Sequence, residues 1–333
     1  MIKILELFGG IGAPRKALIN LGVDHKAIDY VEIDEKAVRA YNALYDNRYK
    51  AQSVVGYDLR PDILVHGSPC QDFSRAGIRL GGNDEDKTRS SLMWETLRII
   101  ETMGAWKPKY VVWENVKGVL DKDMIHSFNK YLTRMVDLGY TNSFEVLNAT
   151  DFGIPQRRER VFTISILGKA TFDFSKLKRK PMQHIDDFLE SAVFEEQYMI
   201  TIPSMLNKIK EFAPNREGSY QRYLDVIDDS CWTISTRQDR CPNAGVIRHK
   251  DKPLYRYLTE RECWRLMGFS DDDFEQVLKE YPGQPGKRNA TIYKLAGNSI
   301  VVDVLEAIFE VLLREDFATE FIGESNGQLQ LIC

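Results

Sequence analysis

The chain contains Ile63-Leu64-Val65 followed closely by Gly67-Ser68-Pro69-Cys70-Gln71. A short aliphatic run closed by a proline turn reads as a buried strand carrying a thiol at its carboxyl end, the edge where open α/β sheets keep ligands and chemistry. Pro69 fixes its own φ and biases Ser68 toward extended backbone, so the turn holds Cys70 in one orientation. A thiol so placed is either inert packing or a nucleophile. The rest of the chain has to decide between them.

Other apolar runs end in the same manner. Ile2 to Phe8 is broken by Phe8-Gly9-Gly10-Ile11-Gly12, and Pro14 suits the first turn of a helix through Lys16-Ala17-Leu18. Strand, glycine turn and helix open a doubly wound nucleotide-binding fold, because glycines admit a ligand to the backbone and a helix start offers free N–H groups. The dinucleotide fingerprint wants a third glycine where Arg15 stands. That disfavours a pyrophosphate grip and suits a nucleoside ligand such as S-adenosylmethionine, a plain βα turn being the alternative. Ala27 to Ile33 comes next, with Glu32 lying 20 positions after Gly12. An acid there either takes both hydroxyls of a ribose or caps the helix from Glu35 to about Tyr45. Asp58, after Gly56-Tyr57, is placed to accept from an adenine amino group. Tyr110-Val111-Val112-Trp113 ends in Glu114-Asn115-Val116, bringing a carboxylate to the same edge as Cys70.

Gln71 to Arg89 holds little apolar content but Arg75, Arg79, Lys87 and Arg89. It is a surface loop or a mobile lid, with cations able to grip phosphates. Ser90 to about Met103 and Met124 to Leu138 read as helices, and Phe144 to Leu147 as a strand. Pro155-Gln156-Arg157-Arg158-Glu159-Arg160 leads into a strand from Val161 to Leu167. At strand spacing Arg158 and Arg160 share one face, which calls for an anionic or polar partner, or for an exposed strand end with a salt bridge.

Composition limits the function classes. With 333 residues, 43% apolar and 28% charged, the chain can bury one large domain plus a smaller one. No apolar run approaches the roughly 20 residues that span a bilayer, and the start has no signal-peptide pattern. Five scattered cysteines without a CxxC pair exclude disulfide and zinc frameworks, predict no metal, and fit a reducing cytoplasm. A net charge of −4 means that any nucleic-acid role rests on a local basic surface.

Strand-and-helix alternation fades after Thr171, and 173–255 reads as a separate small domain. Its most distinctive stretch, Cys231-Trp232-Thr233-Ile234-Ser235-Thr236-Arg237-Gln238-Asp239-Arg240, is followed by Arg248-His249-Lys250. Thr233, Arg237, Gln238 and Arg240 suit base edges in a major groove, or else an ordinary polar hairpin. From Arg256 the pattern is helical again: Thr259 caps a helix with Glu262 in capping-box position, and Phe269-Ser270-Asp271 ends it. Tyr293 to Ser299 reads as a turn feeding a last helix, Ile300 to about Leu313, whose Val301, Val304, Leu305 and Ile308 form one apolar stripe. The tail from Glu315 looks loosely structured.

Taken in order, these motifs resemble the DNA (cytosine-5) methyltransferases of bacteria and phages. Phe8 to Gly12 looks like that family's first cofactor motif, Pro69-Cys70-Gln71 its nucleophile motif, Glu114-Asn115-Val116 its Glu-Asn-Val motif, and Gln156 to Arg160 its Gln-x-Arg-x-Arg motif. Arg261-Glu262-Cys263 with Met267-Gly268, and Gly297-Asn298-Ser299, resemble the last two. The resemblance covers about 1–172 and 256–315; the family keeps its target-recognition domain in the interval, where Thr233-Ile234 is similar to its short Thr-plus-aliphatic element.

The resemblance implies an α/β, Rossmann-like S-adenosylmethionine domain of 1–172 plus 256–333 and a recognition domain of 173–255. It implies cofactor contacts from Phe8, Gly9, Gly10, Ile11, Gly12, Glu32, Ile33, Asp58, Pro69, Asn298 and Ser299. Cys70, beside Gln71, would add to carbon 6 of a flipped-out cytosine, because carbon 5 cannot attack a methyl sulfonium until a thiolate makes the ring an enamine. Glu114 would stabilise the charge at N3 if its carboxyl is protonated or shares that proton. Arg158 would meet the cytosine O2, Arg160 would support the catalytic groups, and Asn115 would position Glu114 or its loop. Arg75, Arg79, Arg89, Thr233, Arg237, Gln238 and Arg240 would contact double-stranded DNA. The resemblance further implies a monomer, a restriction-modification or phage-protection setting, and a possible endonuclease partner. Two rivals remain: the tRNA-cytosine branch, which usually lacks the full Gln-x-Arg-x-Arg pattern, and a catalytically silent binder, against which Cys70, Glu114 and Arg158 speak.

Overall fold

The computed structural model describes residues 1–55, 59–68, 92–209, 223–249, 254–314, 322–325 and 328–331. Asp58, Pro69, Cys70, Gln71, Arg75, Arg79 and Arg89 lie outside these residues. The first half alternates as the sequence predicts: β1 (Ile2–Leu7), α1 (Ala13–Asn20), β2 (His25–Val31), α2 (Glu35–Tyr45), β3 (Ile63–His66), α3 (Leu92–Thr102), β4 (Tyr110–Val116), α4 (Ile125–Asp137) and β5 (Tyr140–Asn148). The two-residue strand β6 (Gln156–Arg157) precedes the long β7 (Glu159–Leu167). Local chemistry sets several of these boundaries. Pro14 sits in the first turn of α1, and the Asp34 carboxylate accepts from the Lys36 N–H at 3.0 Å to cap α2.

Six strands form one sheet in the order β2-β1-β3-β4-β7-β5. The first four run parallel, and β7 runs antiparallel to both β4 and β5. Chain order reverses beside β1, so the carboxyl ends of β1 and β3 flank a topological switch point. The apolar runs are buried on both faces, as parallel strands require. Ile63, Val65, Tyr110 and Val112 face one layer of core, and Leu64, Val111 and Trp113 face the other, with α3 and α4. That is the period of two expected of a strand.

The remaining elements are α5 (Pro203–Leu206), β8 (Cys231–Trp232), β9 (Ile247–Arg248), β10 (Tyr255–Arg256), α6 (Glu260–Arg265), α7 (Asp271–Glu280), α8 (Ala290–Asn298), α9 (Val302–Leu312), and the antiparallel pair β11 (Ile322–Ser325) and β12 (Gln328–Leu331). The capping box on α6 is present as predicted, with the Thr259 side chain accepting from the Glu262 N–H and the Glu262 carboxylate from the Thr259 N–H. A bidentate pair to Arg256, at 2.8 Å on each oxygen, compensates the buried Glu262.

Four expectations need correcting. Tyr293–Ser299 is not a turn but the end of α8, started by an Asn289 cap whose side chain accepts from the Ile292 N–H. Gly297 is tolerated in that helix because a Cβ there would lie 2.4 Å from the backbone of Ser235. The helix capped by Thr259 stops at Arg265, ahead of Phe269-Ser270-Asp271, and Ser270 caps α7 instead, accepting from the Asp273 N–H. The tail holds the β11–β12 pair. The interval 173–255 does not pack as a unit either. A small separate core joins Ile200, Ile209, Leu224, Val246, Tyr255 and Tyr257, whereas Phe174, Leu177, Ile185, Phe188, Cys231, Ile234 and Ile247 belong to the main core.

Candidate active site

The turn after β1 is shaped from behind by tyrosines. Tyr30 and Tyr41 stack with centroids 3.8 Å apart, and a Cβ on Gly9 or Gly12 would strike Tyr30 or Tyr41 and Tyr45 at 2.5–2.6 Å. The Tyr30 hydroxyl donates to Gly10 O at 2.5 Å, and Tyr45 to Gly12 O at 2.7 Å. Gly12 caps α1 at φ 76, a left-handed conformation that a side chain disfavours. The N–H groups of Gly9, Gly10 and Gly12 all have protein acceptors: Val31 O, the Glu32 carboxylate and Gly9 O. Those three amides are therefore closed to a pyrophosphate, as the missing third glycine anticipates.

Glu32 bridges the first two strand tips. Its Oε2 accepts from Gly10 N–H at 3.1 Å, and Oε1 from the N–H groups of Ile33 and Asp34 at 2.8 and 2.9 Å. Three of the roughly four acceptor positions of a carboxylate are filled, leaving one at the rim. Beside it Ile33 is 74% exposed, an apolar surface available to a flat ring. Phe8, Gly9, Gly10, Asn298, Ser299, Gly67 and Glu114 line one cleft, floored by Glu6. Burial pushes the Glu6 carboxyl up to about 7, against opposing effects of the Tyr41 hydroxyl and the Arg15 guanidinium. Glu6 Oε2 accepts from Tyr41 at 2.6 Å, and Oε1 has no partner. A cleft with a glycine turn and an unpartnered acidic oxygen, next to a carboxylate that is bonded to that turn through Gly10 and has one acceptor position left, fits an adenosine bearing a cationic tail.

Glu114 faces the same cleft from β4. Its Oε1 pairs with Arg160 Nε at 3.0 Å, and its Oε2 is 3.8 Å from where a Gly67 Cβ would stand. Gly67 and Ser68 continue β3 toward Cys70. The Trp113 indole, one residue before Glu114, donates to Ser68 Oγ at 3.0 Å, so the two strand tips are tied together. Beneath them His66 stacks on Trp113 and meets the Tyr131 hydroxyl at 3.0 Å. Burial pushes its imidazole down to about 3, which keeps it neutral. Asn115 is buried; its Oδ1 accepts from the Val116 N–H at 2.8 Å and its Nδ2 has no partner.

The two arginines expected on one face separate. Arg160 lies on Glu114, with Nη1 on Glu159 O at 2.8 Å. Arg158, only 5% exposed, turns into the body. Its Nη1 donates to Ile234 O at 3.0 Å, and its Nη2 to Gly297 O and Ser299 O at 3.1 and 2.8 Å. The β6–β8 ladder causes this: Gln156 and Arg157 pair in parallel with Cys231 and Trp232, and Arg158 emerges beneath the segment that follows. Gln156 makes a parallel stitch, from Nε2 to Leu266 O at 2.8 Å and from Ile234 N–H to Oε1 at 3.0 Å. Its motif was legible in the sequence, but this function was not.

Among the expected DNA contacts, Thr233 is half-buried and donates to Arg157 O at 2.9 Å. Arg237 and Arg240 are exposed, and Arg240 lines, together with Lys287 and Glu195, a cavity of about 840 Å³ that does not include Glu114. Gln238 corrects the expectation: it is fully buried, with Oε1 accepting from Ala244 N–H at 3.3 Å, so it is closed to a base edge. No cluster of metal-ligating side chains occurs among the described residues. Burial pushes the Cys231 thiol up to about 12 and raises the Cys263 thiol well above its ordinary range, so neither supplies a thiolate.

A family model described as C-5 cytosine-specific DNA methylase matches residues 2–314. The chain is 31% identical to the type II methyltransferase M2.ScrFI of Lactococcus lactis subsp. cremoris, covering 94% of this chain and 99% of that protein. It is 26% identical to the orphan methyltransferase M.SPRI of Bacillus phage SPR, over 94% and 97%. Among solved structures, the Dnmt2 methyltransferase of S. pombe has the same fold at a TM-score of 0.72 and 22% identity, over 94% of this chain and all of that one. A putative DNA modification methyltransferase from an E. coli prophage aligns at 0.65 and 18% identity, also over 94% and all. With S-adenosylmethionine-type binding features and a strand-tip Glu–Arg pair already in place, the chain belongs to the C-5 cytosine-specific DNA methylase family.

Proposed function

We propose that this enzyme methylates carbon 5 of a cytosine extruded from duplex DNA, through a covalent bond from Cys70 to carbon 6. The observation that carries the proposal is Glu114 Oε1 on Arg160 Nε at 3.0 Å, beside the Gly67-Ser68 segment that leads to Cys70. The Cys70 sulfur bonds to carbon 6, and the electrons of the carbon 5–carbon 6 double bond move into the ring toward N3 and O2. Glu114 Oε2 is free to hold the proton at N3, while Arg160 keeps the carboxyl in place. Among the described residues Arg160 Nη2 has no partner, and it is the donor left for the cytosine O2. This exchanges the roles the resemblance gave the two arginines: Arg158 holds the site together, and Arg160 meets the base. Asn115, with its backbone-bound Oδ1, fixes the tip of β4.

S-adenosylmethionine, when bound, supplies the methyl group that the activated carbon 5 takes and leaves as S-adenosylhomocysteine. Glu32 would hold its ribose, Ile33 and Phe8 its adenine, and Glu6 with the glycine turn its remaining length. Loss of the carbon 5 proton then returns the electrons that expel the Cys70 thiolate. The relatives' names favour a restriction-modification or phage setting, with 173–255 carrying most of the target recognition.

The test is a long PCR duplex made with 5-fluorodeoxycytidine triphosphate. Fluorine cannot leave as the proton does, so wild-type protein with cofactor gives a denaturant-stable protein–DNA species. Cys70→Ala gives none and transfers no labelled methyl. A Cys70→Ala protein that still methylates refutes the assignment, and label moving to tRNA but not DNA refutes the substrate.

A further inference from the structure

The outer face of the β6–β8 ladder is unexplained by the chemistry above. Gln156 and Cys231 point inward and are buried, while Arg157 and Trp232 stand opposite each other on the outside, Trp232 being 45% exposed. The guanidinium lies 5.1 Å from the indole centroid, so each supports the other's flat face. Both are oriented by a second bond: Arg157 Nε donates to Ser230 Oγ at 3.0 Å, and Trp232 Nε1 to Asp225 Oδ2 at 2.9 Å. Arg157 has no carboxylate partner among the described residues, and its two terminal nitrogens remain open. The next outward residue, Glu159, is bound by Lys117 at 3.0 Å, the residue directly after Glu114-Asn115-Val116. Arg157 itself stands three residues before Arg160, the partner of Glu114, on the segment that enters β7.

We propose that Arg157 and Trp232 form a DNA contact beside the cytosine pocket, Arg157 taking a phosphate and Trp232 packing on the adjoining deoxyribose of the strand that carries the target base. The proposal rests on the reading of this chain as a duplex-DNA methyltransferase. A guanidinium with no internal counter-charge matches a phosphodiester, and an indole held edge-on by its N–H presents a rigid apolar face. A comparable pair, Arg60 with Trp106 at 5.7 Å, precedes β3 and β4 at the opposite sheet edge and serves as an internal control.

The experiment measures binding and initial methylation rates on unmethylated plasmid DNA between 50 and 200 mM salt, for wild type, Arg157→Gln, Trp232→Ala, Trp232→Phe and Trp106→Ala. Arg157→Gln should lower the slope of log K against log salt by about 0.9, so that this rise in salt weakens it about 3.5-fold less than wild type. Trp232→Ala should bind about ten-fold more weakly at every salt with an unchanged slope, as expected for half an indole removed from water. Trp232→Phe should keep most of the affinity, and Trp106→Ala should match wild type. Urea midpoints and cofactor binding check the fold; if Trp232→Ala is unfolded, Trp232→Phe and Arg157→Gln decide. A wild-type slope in Arg157→Gln, or wild-type affinity in a folded Trp232→Ala, overturns the contact. Wild-type protein that puts no methyl on plasmid DNA refutes the underlying functional reading instead.

Discussion

Glu6→Gln isolates the buried carboxyl beneath the cofactor cleft. Burial raises Glu6 from 4.5 to about 7. Below pH 4.5 the group is protonated in both folded and unfolded chains and does not disfavour folding. As pH rises toward 7 the unfolded chain releases the proton freely while the folded chain holds it, so stability is lost until both forms are ionised. Between pH 5 and pH 8 the change amounts to roughly 2.5 kcal/mol. The glutamine has no proton to lose and can still accept from Tyr41. Its buried amide carries a cost of its own, so the readout is the pH slope and not the absolute difference. Urea unfolding of both proteins without cofactor, at pH 5, 6.5 and 8, should show wild type losing about 2.5 kcal/mol relative to the variant. A difference that stays constant within about 0.5 kcal/mol would refute the claim that desolvation outweighs Tyr41 and Arg15 at Glu6.

The two arginines give opposite expectations. Arg158→Lys should lower the urea-derived stability by about 2 kcal/mol, because an ammonium cannot reach three carbonyls from a planar fork; Arg160→Lys should leave stability within about 1 kcal/mol and lower kcat far more than it raises the cofactor KM. Interchanged results would return the base-facing role to Arg158. Gly297→Ala should destabilise by about 2 kcal/mol or more and weaken cofactor binding through Asn298 and Ser299, measured by calorimetry; a neutral outcome would mean that the Ser235 backbone can withdraw.

Where sequence anticipated structure, the cause was local. A capping box is four consecutive residues, Thr259 to Glu262, and a βα turn announces itself by glycine and proline within a few positions of an apolar run. Glu32 and Glu114 were legible because the carboxyl ends of parallel strands share an edge, so their place after an apolar run implies convergence; Arg160 reaches that edge from the start of β7, which runs antiparallel to β4. The misses are contacts between distant segments. Gln156 and Arg158 bond to residues between 76 and 141 positions away, and no local spacing distinguishes a carbonyl-clamping arginine from one that meets a base. The tyrosines behind the glycine turn left a faint signal, Tyr41 and Tyr45 one helical turn apart, but their target lay on another element. Gln238 failed for the converse reason: a polar residue in a polar stretch looks exposed until the Ala244 N–H it serves is known.

The β6–β8 ladder has a consequence for how such enzymes change the sequence they recognise. Cys231, Ile234 and Ile247 are built into the catalytic core, and Gln156 and Arg158 grip the backbone at Ile234. A transplant of specificity cut at the compositional borders near 173 and 255 would therefore tear out part of the wall behind the active site. A small core apart from that wall joins Ile200, Ile209 and Leu224 to Val246, Tyr255 and Tyr257, so a shorter graft would have to carry both sides of it. A graft confined to it would inherit a finished reaction centre and alter only what that centre is offered.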